Sequence, residues 1–285
     1  MPKINSVSPD QTSYTQVIQS IANMPKRLWL YGDLPPQRVT SVAIVGTRKP
    51  TPYGREVTYR LAYELASRGV VIISGLAIGT DGIAHEAALD AGGTTIAVLP
   101  TPLDAIHPRT HHKLAEDIVN RGGALLSEYG PGDDVYKVNF VARNRIVAGL
   151  SDAVLITEAA ARSGTLITAN FALQQGKPVL VVPGNITSTM SAGCNNLLKV
   201  GATPVTDVSD ILHELNLRDT AQTELPFGND REEDTLLKLM SDGVREGELL
   251  HQKSGLSAAT YSQTMTMLEI EGKIKALGAN QWTLR

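Results

Sequence analysis

Residues 42–48, Val-Ala-Ile-Val-Gly-Thr-Arg, set the fold class of this chain. They form a continuous run of β-branched and apolar residues ending in a glycine turn, which is typical of a strand buried on both faces of a parallel sheet. Apolar residues at four-residue spacing then predict a helix over Arg55–Ser67, which Gly69 ends. The stretch therefore predicts the first strand–helix unit of an α/β domain.

The same strand–turn–helix pattern recurs along the chain. Further apolar runs are predicted as strands at Val70–Ile73, Thr94–Leu99, Ala124–Leu126, Ala153–Thr157, Pro178–Val182 and Pro204-Val205. Parallel strands need crossover helices, and the short loops favour a doubly wound, mostly parallel sheet. Because such sheets bind ligands at the carboxyl ends of their strands, we expect the functional residues in the turns that follow the strands.

Composition divides the chain into four segments. They are an N-terminal arm (1–38), the α/β domain (39–215), a polar linker containing Pro and Gly (216–231) and a small C-terminal domain (232–285). The last segment is predicted to contain helices at Asp234–Met240 and Gly247–Lys253, a helix capped by Ser257, and strands at Lys273–Leu277 and Gln281–Leu284. This order is typical of a winged helix.

The composition is that of a globular protein. Of the 285 residues, 42% are hydrophobic and 19% are charged, which excludes general disorder. The chain has no apolar run long enough for a membrane helix and no signal-peptide pattern, so we expect a soluble cytoplasmic protein with no membrane partner. The single Cys194 excludes a disulfide framework and a multi-cysteine metal site.

The charge balance limits how this protein can bind a polyanion. The net charge is −3, and residues 39–215 hold 14 Lys/Arg against 16 Asp/Glu. Neither domain is basic as a whole, since residues 232–285 hold 6 Lys/Arg against 8 Asp/Glu. A few well-placed cations and backbone donors would therefore have to provide any affinity for nucleic acid.

Glycine-containing turns follow three of the predicted strands. They are Gly46-Thr47-Arg48, the turn that begins at Ser74-Gly75, and Ser163-Gly164-Thr165. Glycine lets a ligand approach the backbone, and free N–H groups at a helix start attract anions. Each glycine alone can serve only to make its turn, but three on one sheet edge predict an anion-binding rim. The spacing matches neither a Walker A loop nor the dinucleotide fingerprint, so no nucleotide cofactor is predicted.

Cations accompany these turns in the sequence. Arg48 closes the first turn, and Arg109 follows a loop that ends in His107-Pro108. A second cluster combines cations, amides and an aromatic ring: Lys137, Asn139, Phe140, Arg143, Asn144 and Arg145. Arginine binds phosphates bidentately, and an aromatic ring stacks on an unpaired base. For Arg143 and Arg145 the alternative is a structural role, tying down carboxylates or helix ends.

Catalytic and metal-binding patterns are weak. Asp81 is more simply the N-cap of its helix, and the adjacent His111 and His112 face different ways on a helix, which disfavours a metal site. Cys194 follows Gly193 near no predicted base and is expected to be a buried structural thiol. We therefore predict no catalytic residue, no metal and no cofactor.

Together these motifs resemble the DNA-processing protein A family, also called DprA or Smf. The matching stretches are 42–48, 74–81, Ala84-His85, Ser127-Glu128-Tyr129, 143–151, 163–169 and Val182-Pro183-Gly184. The resemblance covers roughly residues 25–215, with a weaker match in the winged helix. It implies an extended Rossmann-like fold and a homodimer that binds single-stranded DNA. It also implies loading of RecA during natural transformation and recombination, without a catalytic reaction.

The resemblance also implies a set of DNA contacts. Arg48, Arg109 and Lys137 match residues that contact DNA in the family. The predicted pocket around them comprises Gly46, Thr47, Ser74, Gly75, Asn139, Phe140, Arg143, Asn144, Arg145, Ser163, Gly164 and Thr165.

Three features depart from the family pattern. Pro100-Thr101-Pro102 stands where Gly-x-Gly is usual, and Val141 stands where a Pro usually follows the Phe. Many members also carry an N-terminal helical domain, for which residues 1–38 are too short, so we expect this domain to be dispensable or missing.

Two other functions stay open at this point. Related folds with a Gly-Gly-x-Gly-Thr turn cleave the glycosidic bond of nucleoside monophosphates, but residues 163–168 carry Thr where those enzymes carry a catalytic Glu. A purely structural scaffold would neither bind DNA nor turn over a substrate.

The winged helix has a predicted recognition helix, Ser257–Ile270, without Lys or Arg and with Glu269 near its end. Helices that enter the major groove bring cations to phosphates. We therefore predict that this domain mainly contacts protein.

Overall fold

The computed structural model of this chain describes residues 3–217, 231–278 and 280–284. The chain divides into two compact units, Met1–Asp219 and Thr220–Arg285. The predicted linker, 216–231, lies for the most part outside the described residues. Among the described residues, no helix combines the length and apolar character needed to span a membrane.

The first unit is built on a nine-stranded sheet. Its strands are β1 (Asn5–Val7), β2 (Leu28–Gly32), β3 (Ser41–Val45), β4 (Val71–Ser74), β5 (Thr95–Leu99), β6 (Ala124–Ser127), β7 (Ala153–Ile156), β8 (Val179–Val181) and β9 (Thr203–Pro204). Their order is β1-β2-β6-β5-β4-β3-β7-β8-β9. Strands β3 to β9 pair in parallel, whereas β1 and β2 are antiparallel. The predicted doubly wound, mostly parallel sheet is confirmed.

Helices cover both faces of this sheet. They are α1 (Pro52–Ser67), α2 (Thr80–Asp90), α3 (His112–Asn120), α4 (Lys137–Ala142), α5 (Asn144–Leu150), α6 (Thr165–Gln174), α7 (Ala192–Lys199) and α8 (Val208–Glu214). On one face, Ile44 of β3 is buried in a cluster with Leu61 of α1. On the other face, Ala43 is buried in a cluster with Ile146 of α5. Burial on both faces explains why β3 is apolar throughout.

The N-terminal segment extends the sheet. Trp29 lies in the apolar strand β2, which pairs with β6. This strand was not predicted from the sequence. The Tyr14 and Ser41 hydroxyls share a hydrogen bond of 2.7 Å, and Arg38 forms an ion pair of 2.8 Å with Asp152. These contacts anchor the segment beside the start of β3.

The strand order places a topological switch point at β3. Strands β4, β5 and β6 follow on one side of β3, and β7, β8 and β9 on the other. Chain segments that leave the strands at such a point diverge and open a crevice at the carboxyl ends. The turns after β3, β4 and β7 carry the three glycine motifs, so these motifs meet at one edge of the sheet.

The second unit is a winged helix. Its elements are α9 (Arg231–Ser241), α10 (Gly247–Ser254), α11 (Ala258–Ile270), β10 (Ile274–Gly278) and β11 (Gln281–Leu284). Leu236, Leu250 and Leu268 are buried in its core. Ser257 caps α11 by accepting a hydrogen bond from the Thr260 N–H at 3.2 Å, as predicted.

Candidate functional site

A cleft of about 360 Å³ lies at the carboxyl ends of β3, β4 and β7. It is lined by Val45, Gly46, Thr47, Arg48, Gly75, Ala77, Asp81, Phe140, Val141, Arg143, Asn144, Val147, Ser163, Gly164, Thr165, Ile167 and Thr168. A smaller pocket of about 90 Å³ shares part of this wall and extends it with Ile78, Pro100, His107 and Pro108. The three predicted turns therefore come together in one cleft.

The first turn presents Arg48 to solvent. The Thr47 N–H donates to the Glu158 carbonyl at 2.9 Å, and the Gly46 carbonyl accepts from Thr165 Oγ1 at 2.8 Å. These bonds tie the turn to the segment after β7 and to the start of α6. The Arg48 side chain is exposed and forms no ion pair within the described ranges, so its charge is available to an anion.

The second turn is held from inside by Asp81. Its Oδ2 accepts the N–H groups of Gly75 at 3.1 Å and Ala77 at 3.3 Å. Burial raises the pKa of the Asp81 carboxyl, whereas Arg143 and the two amides act in the opposite direction. The prediction that Asp81 caps its helix is wrong, because Gly79 occupies the N-cap and Asp81 lies in the first turn.

The third turn also uses its donors internally. Ser163 Oγ accepts from the Thr165 N–H at 3.2 Å, and the Ser163 and Gly164 carbonyls accept from the next N–H groups of the helix, each at 3.1 Å. The amides of Gly75, Ala77 and Thr165 are therefore already bonded within the protein. The glycine turns shape the cleft, and they supply fewer free backbone donors than the sequence predicted.

Arg143 lies in the floor of the cleft with 6% of its surface exposed. Its Nη1 donates to the Gly75 carbonyl at 2.7 Å and to the Val98 carbonyl. Its Nε donates to Asn144 Oδ1 at 3.2 Å. Burial lowers the pKa of Arg143 to about 10, an effect that Asp81 opposes. These contacts favour the structural alternative over a phosphate fork, because the guanidinium joins the second turn to β5.

Three predicted site residues are buried and do not line the cleft. Arg145 forms an ion pair with Glu128 at 2.6 Å and donates to the carbonyl of Asn23 at 2.9 Å. Ser74 donates to the carbonyl of Ile44 at 2.6 Å. Asn139 is buried, and its Nδ2 has no hydrogen-bond partner among the described residues. The structure therefore does not bring these three residues into the cleft with the other predicted site residues.

Arg109 and Lys137 lie on segments that border the smaller pocket. Both are exposed, neither lines the cleft, and neither forms an ion pair within the part of the chain that the structure describes. Arg109 begins a short 3₁₀ helix directly after His107-Pro108, and Lys137 begins α4, which carries Phe140. The His107 ring meets the Phe140 ring edge-on, with centroids 5.4 Å apart. The smaller pocket therefore has an aromatic wall and an exposed lining cation, Arg48, and Arg109 and Lys137 lie on the adjoining segments.

Several residues that line the cleft and the smaller pocket were not predicted from the sequence. Ile167 and Thr168 lie one helical turn beyond the predicted Gly164-Thr165, so helical periodicity from the glycine turn could have identified them. His107 lines the smaller pocket two residues before Arg109. Its aromatic contact with Phe140 joins distant parts of the chain and leaves no signal in the sequence.

Neither the potential metal ligands nor the single cysteine adds a further candidate site among the described residues. In residues 3–217, 231–278 and 280–284, His, Cys, Asp and Glu form no cluster that could hold a metal ion. Cys194 is buried, and burial raises the pKa of its thiol to about 11, which disfavours the nucleophilic thiolate.

Comparison with protein families identifies two matching regions. Residues 5–216 match the family described as DNA recombination-mediator protein A, and residues 219–280 match the DprA winged helix domain. Protein Smf of Escherichia coli is 35% identical over 299 residues, spanning 100% of this chain and 78% of that protein. DNA processing protein DprA of Bacillus subtilis is 38% identical over 225 residues, spanning 79% of this chain and 75% of that protein.

Solved structures show the same fold. DNA processing protein A from Streptococcus pneumoniae superposes with a TM-score of 0.69 and 40% identity, covering 74% of each chain. DNA processing protein A from Helicobacter pylori superposes with a TM-score of 0.66 and 36% identity, covering 76% of this chain and 98% of that one. The Helicobacter pylori structure is described in terms of a single-stranded DNA binding mode.

Proposed function

This chain belongs to the DNA recombination-mediator protein A (DprA/Smf) family, and on that premise we propose that its cleft binds single-stranded DNA. Members of the family are DNA processing proteins. The observation that carries the proposal is Arg48, an exposed cation without an ion pair in the described residues, beside a pocket with the aromatic wall of Phe140. A cation and a ring in this arrangement suit a phosphate and its unpaired base.

The cleft suits a ligand recognised by its backbone. Arg48, Arg109 and Lys137 would neutralise phosphates, while Phe140 would stack on a base. Stacking and phosphate contacts are sequence-tolerant, because every base has a π-face and every nucleotide a phosphate. We therefore expect weak sequence preference and an affinity that falls steeply with added salt.

We further propose that this protein acts as a homodimer and passes the bound strand to RecA in transformation and recombination. The family name, a recombination mediator, supports this role. A role beside RecA on incoming DNA would place the protein in the cytoplasm. The proposal needs no catalytic residue, because transfer of a bound strand breaks no covalent bond.

A nucleotide-cleaving enzyme is the competing function. Such an enzyme needs a carboxylate in the cleft to act on the sugar, and Asp81 is a carboxylate that lines it. Asp81 Oδ2 is occupied by two backbone N–H groups, and Thr168 lies in the α6 wall in place of an acid. These contacts favour binding over catalysis. Release of free base from nucleoside monophosphates would support the enzyme instead.

A titration of the full chain tests the proposed function. Fluorescence anisotropy would measure binding to a labelled oligothymidylate, a mixed single strand and the corresponding duplex at several salt concentrations. We expect similar affinities for the two single strands, weaker duplex binding, and a linear fall of log affinity with log salt. Equal affinity for duplex and single strand, or no binding at low salt, would contradict the proposal.

A further inference from the structure

We propose that Asp81 is a positioning residue of the cleft: its carboxylate holds the turn after β4 against the Thr47-Arg48 backbone and so sets the position of Arg48. The inference rests on the proposed function, because Arg48 is taken as the phosphate ligand. Asp81 itself would touch no DNA in this role. It would act through two consecutive turns of the protein.

Asp81 fixes its own turn, the one after β4, through two hydrogen bonds. Asp81 is 7% exposed, and its Oδ2 accepts the N–H groups of Gly75 and Ala77 at 3.1 and 3.3 Å. The Gly75 carbonyl is bound by Arg143 at 2.7 Å. The buried Asp81 carboxylate therefore accepts from the N–H of Gly75, and the buried Arg143 guanidinium donates to its carbonyl. Loss of either partner leaves a buried backbone group unpaired, which the turn can relieve only by moving.

The same turn contacts the backbone of Thr47 and Arg48. The Thr80 N–H donates to the Thr47 carbonyl at 3.1 Å. Gly79 has a φ of +87°, and a Cβ on it would lie 2.5 Å from the Thr47 oxygen and 2.7 Å from the Arg48 carbonyl carbon. The two turns are thus in direct backbone contact. A shift of the Asp81 turn must displace Arg48 or break this contact.

The direction of the change in DNA affinity distinguishes a positioning role of Asp81 from direct repulsion of phosphate. A carboxylate that lines a DNA-binding cleft repels phosphate, so removal of its charge alone would strengthen binding. If Asp81 acts by positioning Arg48, removal of the carboxylate that accepts both N–H groups weakens binding instead. The two roles therefore predict opposite changes in affinity for the same substitution.

A double-mutant cycle in the full chain provides the test. Affinity for a labelled oligothymidylate would be measured for the wild type, Asp81→Ala, Arg48→Ala and the double variant, at a temperature where circular dichroism shows all four folded. We expect Asp81→Ala, which removes the oxygen that accepts both N–H groups, to weaken binding at least fivefold in the wild-type background and less than twofold beside Arg48→Ala. A merely structural role would give the same fold-loss in both backgrounds. That result, or tighter binding by Asp81→Ala, would overturn the inference.

A matched glycine pair provides an independent test if Asp81→Ala does not fold. Gly79→Ala and Gly69→Ala place a side chain at similar positive φ values, +87° and +79°. A Cβ at Gly79 collides with the Thr47-Arg48 backbone, whereas nothing lies within 4 Å of one at Gly69. We expect only Gly79→Ala to weaken DNA binding, by at least fivefold. Equal affinities for the two variants would overturn the inference.

These results separate the inference from the proposed function. If the wild type does not bind single strands, the proposed function fails. If the wild type binds and Arg48→Ala weakens binding, but the cycle is additive, only the positioning role of Asp81 fails.

Discussion

Arg143 lies against Gly75 so closely that residue 75 has no room for a side chain. Nη1 of Arg143 donates to the Gly75 carbonyl at 2.7 Å, and a Cβ on Gly75 would lie 2.3 Å from Nη2. Arg143 also bonds to the Val98 carbonyl, so it cannot move aside without leaving a buried carbonyl unpaired. Gly75 therefore makes room for the buried Arg143. The alternation of strands and turns in the sequence did not indicate this role of the glycine.

Gly75→Ala is therefore expected to lower the free energy of unfolding by about 1–3 kcal/mol, because the added methyl overpacks the site. Gly164→Ala is the matched control, since Gly164 also lines the cleft but a Cβ there meets nothing within 4 Å. The control should cost less than about 1 kcal/mol, the scale of an N-cap change. Urea titration would measure both, and equal losses would contradict the prediction.

Arg48→Ala is expected to weaken binding to every single strand by a similar factor, about tenfold at moderate salt. The loss of one phosphate contact should also reduce the slope of log affinity against log salt by about 0.7. Arg121→Ala is the control. Arg121 is exposed and lies between the end of α3 and the start of β6, at the end of the sheet opposite the cleft. An unchanged slope for Arg48→Ala would exclude Arg48 as a phosphate ligand.

Phe140→Ala is expected to weaken binding by about 1–3 kcal/mol, the scale of one stacked base. The salt slope should stay unchanged, because no charge is removed. Phe140→Trp should retain affinity, and Val138→Ala should have no effect, because Val138 is 68% exposed on the same helix and has no ring. Anisotropy titrations would measure all three variants. A Phe140→Ala variant that binds as tightly as wild type would exclude stacking.

Arg145→Ala is expected to lower the free energy of unfolding by about 2 kcal/mol, because it leaves Glu128 without its partner of 2.6 Å. The affinity of the folded protein for DNA should stay within twofold of wild type, since Arg145 does not line the cleft. Replacing both partners together, Arg145→Met with Glu128→Leu, should restore part of the stability. A large loss of DNA affinity without loss of stability would show that Arg145 belongs to the DNA-binding surface.

Deletion of residues 232–285 is expected to retain most of the affinity for single strands. The exposed residues of α11 include Gln263, Met267 and Ile270, and the helix has no Lys or Arg to meet phosphate. A filter-binding assay would compare the shortened and full chains. A loss of more than tenfold would show that the winged helix contributes directly to DNA binding.

The amino-acid pattern was sufficient for the parallel part of the sheet and for the winged helix, but it did not predict β1 and β2. Uninterrupted apolar runs such as Val42–Val45 can be buried only when both faces of a strand are covered, and glycine after such a run marks the turn into a helix. These rules depend on near neighbours in the chain. They were enough to predict the parallel strands, the end of the sheet at which the cleft lies, and Arg48 as one of the residues that line it.

The roles of individual polar residues depended on contacts between distant segments. Asp81 bonds backward to Gly75 and Ala77 instead of capping its helix, and Arg145 is paired with Glu128. An arginine or aspartate has the same letter in the sequence whether it faces DNA or a buried carbonyl. Whether its charge is free depends on which partners the folded chain brings within hydrogen-bonding distance, and those partners lie many residues away.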